Sequence, residues 1–135
     1  MKNILSMAIF MAVLSVFTSC EKDAGKIPTL AFKTGATYTS TSVTLASGTA
    51  FSIGIDAAKA EDRDVLKKFD ISNSVNGASA VSLFTKDLTG SEQDNYSYVY
   101  AGTASGNSGD TNKYTFTVTN RDGLTNQVTL TITIQ

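Results

Sequence analysis

From Leu30 onward the chain reads as a series of short alternations. Leu30 and Phe32 are interleaved with Ala31 and Lys33, and Val43 and Leu45 are framed by Thr and Ser. Phe51, Ile53 and Ile55 form a period-two apolar face, and Phe69 with Ile71, then Val81 with Leu83, repeat the pattern. Tyr96, Tyr98 and Tyr100 alternate with Ser97 and Val99, and Tyr114, Phe116 and Val118 alternate with threonines. Val128, Leu130, Ile132 and Ile134 make the longest alternation. Each run predicts a strand with one buried and one wet face. Ile27-Pro28 opens the first of them, since a strand start needs no amide donor.

Turn signals separate the runs. Gly48 marks one turn. Asn76-Gly77 is stronger, because both residues accept positive φ. Asn120-Arg121-Asp122-Gly123 precedes Leu124 and the final strand. Residues 57–68 carry the densest charge, including Lys59, Glu61, Asp62, Arg63, Asp64, Lys67 and Lys68. They read as a connecting loop, with a short helix presenting Val65, Leu66 and Phe69 as the alternative. Ala101 to Asn112 is rich in Gly, Ser, Thr and Asn, which predicts a long mobile loop. The sum is an all-β chain of seven to eight strands, arranged as a sandwich of antiparallel sheets. There is no internal repeat and no second domain.

The amino terminus has a different pattern. Lys2 precedes an uncharged, mostly apolar run from Ile4 to Phe17. As a helix that run reaches about 21 Å, short of the ~30 Å hydrocarbon core. It has the length of an export signal. Phe17-Thr18-Ser19-Cys20 resembles a lipobox, the site at which bacterial lipoproteins are cut before a lipid-bearing cysteine. That family prefers Leu where Phe17 stands. The resemblance implies a diacylglyceryl thioether on Cys20, usually with a third acyl chain such as palmitate on its amine. One chain anchors weakly, whereas two or three hold firmly. Cys20 is the only cysteine in the sequence. The acidic Glu21 and Asp23, with Lys22 between them, resemble weakly a surface-export signal of certain anaerobic Gram-negative bacteria. The expected organisation is a signal peptide at 1–19, a lipidated tether at 20–26 and one domain at 27–135. The expected location is the outer membrane, lipid-anchored and facing the periplasm or the surface.

The closing segment carries a second resemblance. Tyr114-Thr115-Phe116-Thr117-Val118-Thr119, the Asn120–Gly123 turn and the final strand are similar to the last hairpin of immunoglobulin-like and PKD-like modules. The resemblance implies an immunoglobulin-like fold with Tyr114 as a structural tyrosine corner. Phe116 stands where antibody-type domains carry Cys, and their Cys–Trp–Cys signature is absent.

Composition then removes function classes. Subtracting the first 19 of 135 residues leaves 116, with all 12 Asp and Glu but 10 of the 11 Lys and Arg. A slightly acidic chain lacks the basic stripe that nucleic acid selects. The sequence contains no His and no Trp, so the commonest general base and metal ligand are missing. Asp56, Glu61, Asp62 and Asp64 supply oxygens of the kind Ca²⁺ takes, but no EF-hand glycine accompanies them and lysines intervene. They read as a solvated charged loop. Gly102, Gly106 and Gly109 lack the Lys-Ser/Thr of a phosphate loop. No metal, cofactor or catalytic group is expected.

Tyr96, Tyr98 and Tyr100 form the candidate binding face. On the solvent side they make a flat platform of the sort that stacks on sugar rings; turned inward they are core, with Val99 outside. The expectation from these signals is a lipid-anchored, non-catalytic interaction module that binds a glycan or an envelope protein. The alternative is a structural or assembly subunit of a surface polymer, exchanging strands through residues 126–134.

Overall fold

A computed structural model describes residues 25–135. The expected signal peptide, Cys20 and Glu21-Lys22-Asp23 lie outside the described residues. Eight strands follow in order: β1 (Thr29–Phe32), β2 (Val43–Leu45), β3 (Ala50–Ala58), β4 (Leu66–Val75), β5 (Val81–Asp87), β6 (Asn95–Thr103), β7 (Thr111–Asn120) and β8 (Thr125–Ile134). One 3₁₀ turn, Gly90–Gln93, joins β5 to β6. One sheet runs β1-β3-β6 and the other β2-β8-β7-β4-β5. All pairings are antiparallel except β2 on β8. The fold is the expected immunoglobulin-like sandwich.

Alternation decides which faces meet. Phe51, Ile53, Ile55 and Ala57 of β3 are all buried, and so are Tyr114, Phe116 and Val118 of β7. Leu130, Ile132 and Ile134 of β8 complete the inner face of the larger sheet. At roughly 1.5–3 kcal/mol for each large side chain removed from water, this layer is the main stabilising term. The outward threonines of β7 and β8 suit a pleated surface, because their branched Cβ favours extended backbone.

Two bulges correct the simple period. Between β4 and β7 the register passes from Leu66↔Asn120 to Lys68↔Thr119, so Lys67 is the extra residue. Leu66 and Phe69 are therefore both buried although they lie three apart, and Lys67 and Lys68 both face water. Between β4 and β5, Ser72 pairs with Ser82 and Ile71 with Phe84, so Leu83 is extra. Phe84 consequently packs against the core, while Val81 and Leu83 are exposed.

The segment read as a long mobile loop is shorter and pinned. β6 continues through Thr103 and β7 begins at Thr111. Between them Ala104 is buried, and its amide donates to the Thr49 carbonyl at 2.8 Å. The Asp110 carboxylate accepts from the Asn107 amide at 2.7 Å and from Asn76 Nδ2 at 2.9 Å. Those bonds hold Asp110 below the usual carboxylate range, the Asn76 bond contributing most. Asn76 and Gly77, at φ 50° and 75°, form the expected turn, closed by the Ala78 amide on the Val75 carbonyl at 2.9 Å.

Candidate functional site

The alternation of β6 turns Tyr96, Tyr98 and Tyr100 toward the opposing sheet, the inward of the two arrangements the sequence allowed. Tyr96 is 7% exposed and lies 5.2 Å, ring to ring, from Phe69. Tyr98 stacks on Phe84 at 4.8 Å, and Tyr100 lies 5.4 Å from Tyr114. The rings join Phe51, Phe69 and Phe116 in one aromatic layer, each pair contributing ~0.5–1.5 kcal/mol beyond area. Val99 is the residue that faces solvent, at 45% exposure.

Tyr114, expected as a tyrosine corner, packs in the same layer. Its ring packs 5.6 Å from Phe51 and 5.4 Å from Tyr100. Burial, aided by Tyr100, pushes the Tyr114 phenol up to about 12. Burial likewise raises Tyr96, although Lys86, 5.3 Å above its ring, opposes the shift. The Tyr114 phenol, held near 12, stays protonated at neutral pH.

The end of the sandwich at which the chain enters holds the molecule's buried polar network. Asp64, expected in a solvated loop, is 1% exposed. Its Oδ1 accepts from the Val65 amide at 2.7 Å and its Oδ2 from Asn120 Nδ2 at 2.7 Å. Asn120 Nδ2 also donates to the Lys26 carbonyl at 3.1 Å, and its Oδ1 accepts from the Leu124 amide at 2.8 Å. Asn120 thereby clamps three segments, and the expected tether is already docked at Lys26. The other acids disperse: Asp56 pairs with Lys33 at 3.4 Å, and Glu61 with Lys26 at 4.0 Å. No cluster of three or more His, Cys, Asp or Glu exists among the described residues.

Charge is concentrated at this same end. Lys59 pairs with Asp94 at 2.6 Å, and Lys86 with Glu92. Each lysine is raised chiefly by its carboxylate partner, and Glu92 is lowered by Lys86. Arg63, Lys67 and Lys68 are exposed nearby. In the loops of the opposite end, residues 34–42, 46–49, 76–80 and 104–110, Asp110 alone is charged. A shallow depression of about 320 Å³ lies on the smaller sheet, lined by backbone and by small side chains such as Ala31, Ala58 and Ser97. Asp56 is its single charged residue, and Lys33 already occupies that carboxylate. It supplies no acid–base pair.

No protein-family model and no curated protein matches the chain. Solved structures do match in fold. Superoxide reductase (neelaredoxin) from Ignicoccus hospitalis superposes in one form with a TM-score of 0.53 at 7% identity, covering 83% of this chain and 82% of that one. A second form gives 0.52 at 7% identity, covering 81% and 80%. At this identity the likeness is one of fold.

These findings correct the expected function. The glycan- or protein-binding module took Tyr96, Tyr98 and Tyr100 as its possible face, and there Tyr96 is buried while Tyr98 and Tyr100 pack partly buried against the core; the solved structures that share the fold are superoxide reductases. The strand-exchanging alternative named residues 126–134; there β8 pairs with β7 along its length and with β2 only at Ile132–Ile134. Superoxide reduction in turn calls for a redox-active centre, and transition metals are held by imidazole or thiolate donors. This chain has no His, and its one Cys lies at position 20. Its residues do not fit such a centre.

Proposed function

We propose that this chain is an envelope lipoprotein: a small β-sandwich held at a membrane surface by acyl chains on Cys20, without superoxide chemistry of its own. The lone cysteine, placed directly after the apolar run Ile4–Phe17 and Thr18-Ser19, carries the reading; Gly25 and Lys26 dock on the β7–β8 turn. A Cβ on Gly25 would lie 2.8 Å from Asp122 Oδ2, and Asn120 grips the Lys26 carbonyl. Five residue steps then separate Cys20 from the folded head, a reach of at most about 18 Å. The head therefore rides close to the lipid headgroups, with its charged end at the point of attachment. The membrane is its partner through that anchor, and nucleic acid is not. The donor set supports the second half of the proposal, because the chain has no imidazole and its single thiol is the one the anchor would take up.

The test is expression of the full chain in a Gram-negative host fed an alkyne fatty acid. The expected product starts at Cys20, carries label and partitions with membranes, whereas Cys20→Ser is unlabelled and soluble. An intact thiol on Cys20 by mass spectrometry overturns the anchor. Superoxide consumption above that of free iron, after mixing the purified protein with ferrous salt, overturns the redox-silent reading.

A further inference from the structure

The sandwich has four sheet edges, and three carry recognisable protection against pairing. β1 and β2 are four and three residues long. β5 is bulged at Leu83 and carries Lys86 and Asp87. Short edges, bulges and charges are the devices that keep edges unpaired. β6 has none of them. It is nine residues long, without charge or proline, and its pairing with β3 runs unbroken from Ala50↔Thr103 to Ala58↔Asn95. Among the described residues it stands last in its sheet, so half of its backbone groups point away from β3 with no described strand beside them.

We infer that β6 is the site at which a second copy of this chain adds edge to edge, antiparallel, about a two-fold axis through Val99. The strand is self-complementary in that register. Val99 meets the partner copy's same residue, Ser97 meets Ala101, and Tyr98 meets Tyr100. No like charges face each other, because the strand has no charge. The pairing covers Val99, the one large apolar side chain exposed on that strand. It joins two three-stranded sheets into one of six strands and extends the aromatic layer across the axis. It also closes on itself, because each copy has one such edge and an isologous contact uses both. The two entry points then lie at opposite ends of the paired strands. Both reach one bilayer when the strands lie parallel to it.

The experiment uses the full chain in mild detergent. Light scattering is expected to return twice the chain mass at tens of micromolar. Val99→Lys places two ammonium groups face to face and is expected to weaken association at least tenfold, whereas Val99→Thr retains the dimer. Paired residues across antiparallel strands lie within disulfide range. Val99→Cys in a Cys20→Ser background is therefore expected to cross-link under mild oxidant, and Thr44→Cys on β2 is not. Circular dichroism confirms that each variant is folded. A single-chain mass overturns the inference and leaves the edge to an extended peptide from another protein. A dimer insensitive to Val99→Lys, or cross-linking no greater at 99 than at 44, overturns it equally. None of these readouts depends on acylation, so failure of the anchor proposal is distinguishable.

Discussion

Removing Asn120 tests how the entry end of the sandwich is held. In Asn120→Ala three bonds disappear: to Asp64 Oδ2 at 2.7 Å, to the Lys26 carbonyl at 3.1 Å and from the Leu124 amide at 2.8 Å. Each neutral bond is worth about 1 kcal/mol net, and one to a carboxylate about 1.5–3. Asp64 is 1% exposed and keeps only the Val65 amide, so its desolvation is no longer offset. The sum is about 4 kcal/mol, within the range for breaking a buried charged contact. Against a total of ~5–15 kcal/mol for a domain, that is a large share. With a urea slope of ~1–3 kcal/mol per molar, the midpoint is expected to fall by about 2 M. The assay is urea unfolding of the chain from residue 20 with Cys20→Ser, followed by circular dichroism. Asp64→Asn is the discriminating partner. It preserves shape and the Val65 bond but sets an amide donor against Asn120 Nδ2, and Asn120 cannot flip without losing Leu124 and Lys26. It is expected to cost about 2 kcal/mol. The reasoning is refuted if Asn120→Ala lies within about 1 kcal/mol of the parent, or if Asn120→Ala and Asp64→Ala add without coupling.

Other expected outcomes address the core and the pinned loop. A Cβ on Gly102 would lie 2.5 Å from Phe51 Cζ, so Gly102→Val is expected to destabilise by ~1–3 kcal/mol in the same urea assay. Tyr114 is expected to ionise near pH 12 by ultraviolet titration. Because its folded value lies above the ordinary tyrosine value of 10.0, the stability it contributes is complete below pH 10 and is lost as pH rises from 10 to about 12. A Tyr114→Phe variant should therefore lose less stability across that interval, and an unchanged alkaline unfolding curve counts against the burial argument. Asp110→Ala removes the acceptor of the Asn107 amide, whose hydrogen exchange is expected to accelerate roughly tenfold while the β3 core amides stay unchanged.

Much of the fold was legible along the chain because side-chain direction in a strand repeats every two residues. The alternations at Phe51–Ile55, Tyr114–Val118 and Val128–Ile134 became β3, β7 and β8. Asn76-Gly77 became a turn for a local reason, the tolerance of both residues for positive φ. Where the period broke, the reading broke. Lys67-Lys68 concealed the start of β4, because a bulge places both lysines outward and returns Leu66 to the core. A bulge is set by the partner strand, and β7 lies about fifty residues away. Asp64 was equally hidden: its neighbours are charged and exposed, and its partner Asn120 sits in a turn signal at the other end of the sequence. The Gly- and Ser-rich segment after β6 looked mobile because its anchors, Thr49, Asn76 and Ile134, are remote.

By itself, the sequence determined class and exclusions. Alternation fixed an all-β chain, and the lack of imidazole ruled out a histidine-based site whatever the fold. The position of Cys20 directed the reading toward an anchor for the same kind of local reason. Only the tertiary structure decided which side of each strand is covered. Period two states that β6 has a tyrosine face and a Ser/Val face, and it assigns neither to water. The opposing sheet makes that choice, because Phe69, Phe84 and Tyr114 lie where three phenol rings can bury more apolar area than Ser97 and Val99.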